Sequence, residues 1–269
     1  MFSHEGRRHR RLERCPVIQL PSSSTDDRPL LALETSGNAL GVALCSRGQV
    51  VFDENVTEGM IHGRALVPLM QAALASQNLK PADLGAVAVS QGPGSWTGLR
   101  IGISAAKAFA WASNLPLVCV PSFEAMALEA CGGTLGGPAR NGAVLTLRDA
   151  RSEGFFVAIF DVTDGVPTRL LEECVLKPDA VVEAAKRLGR SALHVCGDAK
   201  CLELLAADIR ANGWTALPDA ANIPGRAVAL SGWRRLQSGA GVARTAAEIH
   251  AIGPMYLRAS DPELKLKQV

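Results

Sequence analysis

The chain has 269 residues, of which 48% are hydrophobic and 20% are charged, a length that suits one large or two modest domains without stabilising disulfides or metals. Lysine and arginine number 28 and aspartate and glutamate 26, and residues 1–28 hold six of the basic and four of the acidic residues. The rest of the chain is formally neutral. That balance argues against a protein that grips a nucleic-acid backbone by itself.

Seven cysteines are scattered along the chain without a CxxC pair, so a cytoplasmic protein is expected rather than an extracellular disulfide framework. The apolar stretches all end well short of the roughly 18 residues that a membrane helix requires. No apolar core follows the positive charges of the N-terminus, so a secretory signal is not expected. Residues 1–28 are predicted to form a disordered basic tail and linker, or to result from a misplaced start codon. Residues 259–269 are predicted to form a charged tail.

Ordered structure is predicted from Leu30, with three antiparallel strands at 30–35, 39–46 and 49–56 joined by tight turns that contain glycine. Apolar residues at spacings of three and four then predict a helix over 62–77. Pro68 lies in its second turn and should kink the helix or shift its start. The next predicted elements are a strand at 85–89, a helix at 97–113, a strand at 115–120 and a helix at 122–130. This order is typical of a mixed sheet with helices on its faces.

The second half of the chain is patterned less sharply. Residues 132–142 contain five glycines and one proline, which predicts a loop or a subdomain boundary. The predicted strands are 143–148, 154–161, 168–176 and 192–196, and the predicted helices are 178–189, 198–211 and 224–238.

The most informative segment is Gln-Gly-Pro-Gly-Ser-Trp-Thr-Gly-Leu-Arg-Ile-Gly at 91–102. It leaves one predicted strand and enters a helix, so Gly92 and Gly94 would allow close backbone approach and Ser95 or Thr97 could cap the helix. Because a helix N-terminus attracts anions, the segment is a candidate phosphate loop. The alternative is a tight strand-to-helix turn, since neither a Walker A nor a GxGxxG pattern is matched in register.

Small residues recur at every fourth position of the helix that follows, at Gly98, Gly102, Ala106 and Ala110. Such a ridge allows another element to approach closely. It is expected either to pack against the protein's own sheet or to form a subunit interface shared with helix 62–77. The interface residues predicted on that second helix are His62, Leu66, Leu69 and Met70.

Five segments appear in an order that resembles one protein family. They are Leu-Ala-Leu-Glu-Thr-Ser at 31–36, the helix that begins at His62, the glycine-rich 92–102 string, Asp-Ala-Arg at 149–151 and Pro-Met-Tyr-Leu-Arg at 254–258. Together they are similar to the TsaB (YeaZ) family, a bacterial component of the machinery that makes threonylcarbamoyladenosine in tRNA. The resemblance covers roughly residues 30–258, and the glycine-rich string is its most specific part.

The resemblance implies an α/β fold of the actin-like ATPase superfamily with two ribonuclease-H-like lobes, at 29–131 and, in reduced form, at 132–258. It also implies a heterodimer with TsaD, the paralogue that transfers threonylcarbamoyl to the adenosine beside the anticodon of tRNAs that read ANN codons. A small ATPase, TsaE, joins them, and tRNA is contacted through the complex. A homodimer through the same helices is a further expectation.

The resemblance also bears on catalysis. The catalytic paralogue carries a His-x-x-x-His metal pair where this chain has Ser122 and Met126, which cannot replace it, so no metal is expected. Superfamily ATPases place an acidic residue at the end of strand one. This chain has Glu34, one methylene longer than the usual aspartate, and Thr35 and Ser36 after it are expected to cap the turn.

A non-catalytic scaffold that binds and activates TsaD is therefore predicted. The alternatives are a weak ATP-binding or ATP-hydrolysing enzyme, or a peptidase-like protein, although neither HExxH nor GxSxG is present. ATP or ADP with magnesium would be bound by the loop residues Glu34, Thr35, Ser36, Gly92, Gly94, Ser95, Thr97 and Arg100.

The sequence also predicts the surroundings of four further side chains. Arg100 is unfavourable near a helix N-terminus and should be held by a carboxylate or a phosphate. Asp149 and Arg151 should either pair with each other or line the cleft between the lobes. Trp96 replaces the family's usual phenylalanine and should remain an apolar plug.

Overall fold

The computed structural model describes residues 27–57, 62–132, 140–190 and 192–257, in which eleven strands form two mixed sheets covered by helices. Residues 1–26 of the basic tail predicted at 1–28 lie outside the described residues. The charged tail predicted at 259–269 lies entirely outside them. Most of the loop predicted at 132–142 is also outside them.

The first sheet begins with the predicted antiparallel meander. Its strands are β1 (Leu30–Glu34), β2 (Leu40–Ser46), β3 (Gln49–Val56), β4 (Ala86–Gly92), β5 (Leu117–Pro121) and β11 (Val242–Ala243). They lie in the order β3-β2-β1-β4-β5-β11. Strands β4 and β5 run parallel to β1, and β2 runs antiparallel to both of its neighbours.

The second sheet repeats this arrangement. Its strands are β6 (Gly142–Asp149), β7 (Phe155–Thr163), β8 (Val166–Leu176), β9 (Leu193–Gly197) and β10 (Thr215–Ala216). In the order β8-β7-β6-β9-β10, a meander is again followed by two parallel strands. Two copies of the same strand order confirm the predicted pair of ribonuclease-H-like lobes. The second copy is the smaller, with one strand fewer and a two-residue β10.

Eight α-helices connect the strands in the described part of the chain. They are α1 (His62–Ser76), α2 (Trp96–Ser113), α3 (Ser122–Ala130), α4 (Pro178–Arg187), α5 (Ala199–Leu204), α6 (Ala206–Ala211), α7 (Gly225–Ser238) and α8 (Ala246–Ala251). Helices α1, α2 and α8 cover the outer face of the first sheet, and α4, α5 and α6 cover the outer face of the second.

Helices α3 and α7 are exchanged between the two sheets. Helix α3 follows the first sheet in the chain but contacts four strands of the second, whereas α7 follows the second sheet and packs on the first. Both helices bury side chains in a central core that includes Val120, Phe123, Phe160 and Val228. The two sheets therefore share a core, which fixes the edges that face each other across the site described below.

Most predicted elements are confirmed to within a few residues, including α1 with Pro68 inside it. The single helix predicted at 198–211 is wrong, because the backbone leaves the helical conformation at Leu205 and divides it into α5 and α6. The short elements β10, β11 and α8 were not predicted. Helix α8 begins with a capping box in which Thr245 and Glu248 satisfy each other's backbone N–H groups.

No helix among the described residues has the length and apolar character to cross a bilayer. The six cysteines in this part of the chain are free thiols, and all but Cys174 are buried.

Candidate functional site

A cleft of about 1170 Å³ lies where the facing edges of the two sheets meet. Its walls come from the turn at 36–38, the start of α2 at 94–97, the end of β6 at 148–151, the end of β9 at 198–200 and the segment 255–257. Strands β1 and β4 are parallel, as are β6 and β9. Their carboxyl ends therefore meet at one opening, which is where open α/β sheets place ligands.

Glu34 at the end of β1 faces inward and does not line the cleft. Its Oε1 accepts hydrogen bonds from Ser36 N at 2.5 Å and Ser36 Oγ at 2.6 Å. Burial raises the pKa of this carboxyl, and the charge of Arg148 and the bonds from Ser36 oppose that rise. Glu34 therefore stabilises the turn, and the metal-positioning role considered for it has no support in this geometry.

The two residues that follow Glu34 have different surroundings. Ser36 lines the cleft and forms the predicted turn cap with Glu34. Thr35 is fully buried, its backbone N donates to Ser90 Oγ at 3.2 Å, and its own Oγ1 has no hydrogen-bond partner. Thr35 thus packs beneath α2 and cannot contact a ligand in the cleft.

The glycine-rich segment places the start of α2 at the cleft. Ser95 is the N-cap, since its Oγ accepts from Gly98 N at 3.2 Å, and its backbone N donates to Ser36 O at 2.7 Å. Gly94, Ser95, Thr97 and Arg100 line the cleft, as predicted for a candidate phosphate loop, whereas Gly92 does not.

Aromatic rings form one wall of the cleft. The rings of Trp96 and Tyr256 stack with centroids 3.9 Å apart and an interplanar angle of 17°, and the Arg100 guanidinium lies 5.2 Å from the Trp96 centroid. Tyr256 is 41% exposed. Trp96 is half-buried and lines the cleft, so it is not the apolar plug that was expected. Among the described residues, no carboxylate forms the ion pair expected for Arg100.

Tyr256 reaches this wall because the segment after α8 docks on the end of β4. Met255 N donates to Gln91 O at 2.8 Å, and Gln91 Nε2 donates to Gly253 O at 3.0 Å. The sequence signalled this segment only as part of a family resemblance, so the role of Tyr256 in the cleft was missed.

Asp149 is at the centre of a polar cluster on the opposite wall. Its Oδ2 pairs with Lys200 Nζ at 2.9 Å, and its Oδ1 accepts from Arg151 N at 2.9 Å. Partial burial alone would raise the pKa of Asp149, but the bonds from Lys200 and Arg151 outweigh it and lower the pKa. Asp149 and Arg151 were expected to pair with each other or to line the cleft. They are joined by a hydrogen bond from the Arg151 backbone rather than by an ion pair, and both line the cleft.

Arg148 was missed by the sequence analysis and joins the two lobes. It is 5% exposed, and its Nη1 donates to Ser36 O across the cleft. Its Nε and Nη2 atoms have no hydrogen-bond partner. A single arginine at the end of an apolar strand gives little sequence signal, although its neighbours Asp149 and Arg151 were singled out.

The predicted interface ridge is buried. Gly98, Gly102, Ala106 and Ala110, here called the inner ridge, face the first sheet, and a Cβ at Gly102 would overlap Thr35 Oγ1. Of the two alternatives for this ridge, packing against the protein's own sheet is the one observed. The prediction that it forms a subunit interface is corrected.

The residues predicted on α1 follow the same pattern. Leu66, Leu69 and Met70 are buried in the core beneath the helix. The prediction that they form a subunit interface is therefore also corrected. His62 is partly buried at the start of α1, with Nε2 3.3 Å from Ala39 O.

The opposite face of α2 is exposed and carries a second row of small residues. Ser104, Ala108 and Ala112 are exposed at every fourth position. With Trp111, which is 61% exposed, they are called the outer ridge. Val67 on the neighbouring α1 is 53% exposed.

Ser122 and Met126, which the resemblance placed at the metal-pair positions of the paralogue, serve packing in this chain. Ser122 Oγ accepts from Gly92 N at 3.1 Å, and Met126 is fully buried in the central core. Within the described ranges, no group of three histidine, cysteine, aspartate or glutamate residues could hold a metal ion.

Comparison with known proteins identifies relatives over most of the chain. A family model described as "TsaD: tRNA N6-adenosine threonylcarbamoyltransferase" matches residues 60–258. A protein named "tRNA threonylcarbamoyladenosine biosynthesis protein TsaB" from Escherichia coli is 30% identical over 193 residues, which cover 71% of this chain and 74% of that one. The protein of the same name from Bacillus subtilis is 26% identical over 241 residues, which cover 88% of this chain and 96% of that one.

A solved structure described as YeaZ from Pseudomonas aeruginosa superposes with a TM-score of 0.65 at 22% identity. The aligned region covers 86% of this chain and all of that one. At this identity the superposition supports the fold alone.

Proposed function

Because the chain belongs to the TsaB family of tRNA threonylcarbamoyladenosine biosynthesis proteins, we propose that it is a non-catalytic subunit that binds and activates TsaD. In this proposal TsaD transfers the threonylcarbamoyl group, TsaE joins the pair, and tRNA is contacted through the complex.

The observation that carries the proposal is the exposed, uncharged outer ridge of α2. A surface helix normally shows charged residues on its solvent face. After Arg100, the one charged residue in α2 is Lys107, and its Nζ donates to His250 O and Ile252 O at 2.7 and 2.8 Å. The solvent face thus presents small residues and Trp111, a combination suited to close packing by a partner helix.

Helix α1 extends this surface. It packs beside α2 on the same face of the first sheet and exposes Val67 and Pro68. We assign the TsaD-binding surface to the exposed faces of α1 and α2, within the lobe proposed for residues 29–131. A homodimer through the same surface would compete with TsaD for it.

A non-catalytic role is supported by what the paralogue's metal-pair positions do here. Ser122 and Met126 are committed to packing between β4 and the central core. Activation then requires only that this chain bind the active arrangement of TsaD more tightly than the inactive one.

The proposal is tested with the full chain and TsaD from the same organism. We expect the two to co-purify, and we expect threonylcarbamoyl transfer to tRNA by TsaD to rise when the chain is added. A phosphate-release assay on the chain alone, with ATP and magnesium, separates the scaffold from an ATPase. Failure to co-purify, or turnover by the chain alone at ATPase rates, would contradict the proposal.

A further inference from the structure

Beyond the proposed function and independent of it, we propose that helices α3 and α7 form a clasp that holds the two lobes in one relative orientation. The clasp has an arginine–glutamate ion pair at each end, Arg226 with Glu129 and Arg235 with Glu124. While both pairs are closed, the two sheets move as one body. Release of either pair frees the lobes to rotate against each other.

The two helices of the clasp pack on different sheets. Helix α7 lies on the first sheet, so close to β4 that a Cβ at Gly232 would lie 2.6 Å from the Cβ of Ala88. Its first turn is fixed to β3, because Arg226 N donates to Asp53 Oδ1 at 3.1 Å. Helix α3 packs on four strands of the second sheet. The contact between these two helices is therefore a joint between the lobes.

The two ion pairs hold an antiparallel helix pair at both of its ends. Arg226 in the first turn of α7 bonds to Glu129 in the last turn of α3. Arg235 in the last turn of α7 bonds through Nη1 to Glu124 Oε2, in the first turn of α3, at 2.6 Å. Packed helices can slide past each other in domain motions, and a slide of one turn is about 5.4 Å. Such a slide would break both pairs, and a rotation about one end would break the pair at the other.

Both pairs are costly to open because they are largely shielded from water. The four side chains that form them are between 11% and 24% exposed, and separating a shielded pair costs far more than separating an exposed one. Arg226 is secured further, since its Nη1 also pairs with Asp53 Oδ2 at 3.0 Å. Arg235 Nε has no hydrogen-bond partner among the described residues. The pair of Arg235 with Glu124 is therefore the weaker end of the clasp.

Two further links tighten the joint. Arg234 of α7 donates from Nη1 to Gly165 O in the turn between β7 and β8, so α7 also bonds directly to the second sheet. Helix α3 begins at Ser122, directly after β5 ends at Pro121, and Ser122 Oγ accepts from Gly92 N at 3.1 Å. The start of α3 is therefore tied to the first sheet, with no loop between β5 and α3 to act as a flexible hinge.

Pulsed electron paramagnetic resonance on the full chain tests the proposal by measuring the distance between the lobes. Nitroxide labels are attached to Gln71→Cys in α1 and Glu183→Cys in α4, which are exposed positions. Cys15 and Cys174 are replaced by serine, because the other five cysteines are buried. We expect a single narrow distance distribution. A broad or two-peaked distribution would overturn the proposal.

Substitutions in the labelled chain, checked for folding by circular dichroism, then open the clasp. Glu124→Ala should broaden the distribution and shift its mean by about 3 Å. Glu129→Ala should have a smaller effect, because the arginine at that end keeps a second carboxylate. Asp161→Ala is the matched control, since it removes an ion pair with Arg190 inside the second lobe and should leave the distribution unchanged.

If Glu124→Ala disturbs folding, the similarly sized Glu124→Gln takes its place and should broaden the distribution less. The proposal is overturned if the folded variants at Glu124 and Glu129 both give the distribution of the unaltered chain, or if Asp161→Ala changes it as much as they do.

Discussion

Helix α2 carries two rows of small residues, each with a period of four, and the structure buries one while exposing the other. The inner ridge runs from Gly98 to Ala110 against the first sheet, and the outer ridge of Ser104, Ala108, Trp111 and Ala112 faces solvent. The small residues of the two ridges have the same spacing and similar size but serve two purposes. The inner ridge lets the helix approach β1, and the outer ridge leaves room for a partner.

The largest expected effect is on stability, from a substitution that disrupts the inner ridge. Gly102→Leu would force a side chain into Thr35, and overpacking of this kind should lower the free energy of unfolding by roughly 3 kcal/mol or more. Urea unfolding followed by circular dichroism measures the loss. Ala108→Leu on the outer ridge is the matched control and should change stability by less than about 0.5 kcal/mol. Equal stability of the two variants would refute the distinction between the ridges.

A second prediction concerns the outer ridge itself. Trp111→Ala should weaken TsaD binding by about 2 kcal/mol, roughly thirtyfold in Kd, because exposed tryptophans at interfaces often contribute most of the binding energy. The free energy of unfolding should stay nearly constant, since Trp111 is mostly exposed. Calorimetry with TsaD measures the first quantity. An unchanged Kd would remove Trp111 from the interface.

A third and smaller effect tests whether α8 supports the outer ridge. Thr245→Ala removes the side-chain half of the capping box and should cost about 1 kcal/mol of stability. Since α8 and the residue after it supply the carbonyls that hold Lys107, hydrogen exchange should increase in α8 before it increases in α2. Unchanged protection of α8 would contradict this assignment.

A fourth prediction concerns the turn at Glu34, on which the inner ridge rests. Burial raises the pKa of Glu34 above its ordinary value of 4.5, so ionising it opposes folding. The free energy of unfolding of the unaltered chain, relative to Glu34→Gln, should therefore fall as the pH rises from about 4.5 toward the raised pKa. Urea unfolding of both proteins across this range measures the difference. A difference that rises with pH would show that the pKa is lowered instead.

The first lobe could be predicted largely from local patterns. Apolar runs ended by glycine-containing turns located β1 to β3, and helical spacing located α1. The glycine-rich segment located the start of α2 and offered Ser95 or Thr97 as its N-cap, of which the structure has Ser95. Strands of two residues, such as β11, and the six-residue α8 contain too few residues for a period to show. The direction in which each ridge of α2 faces was also beyond reach, because both ridges have the same spacing.

The candidate site depended more on contacts between distant residues. Arg148 and Ser36 are 112 positions apart, and Trp96 meets Tyr256 through the docking of the last described segment on β4. The exchange of α3 and α7 between the sheets likewise brings together residues from both halves of the chain. Such contacts leave no local periodicity in the sequence.

The most direct test of the central claim compares two arginine substitutions in the titration of TsaD. Ala108→Arg places a long cation on the outer ridge, and Ala180→Arg places one on exposed α4 of the other lobe. We predict that both proteins fold and that Ala180→Arg binds TsaD like the unaltered chain, whereas Ala108→Arg does not bind. Binding of TsaD by Ala108→Arg with unchanged affinity would contradict the account.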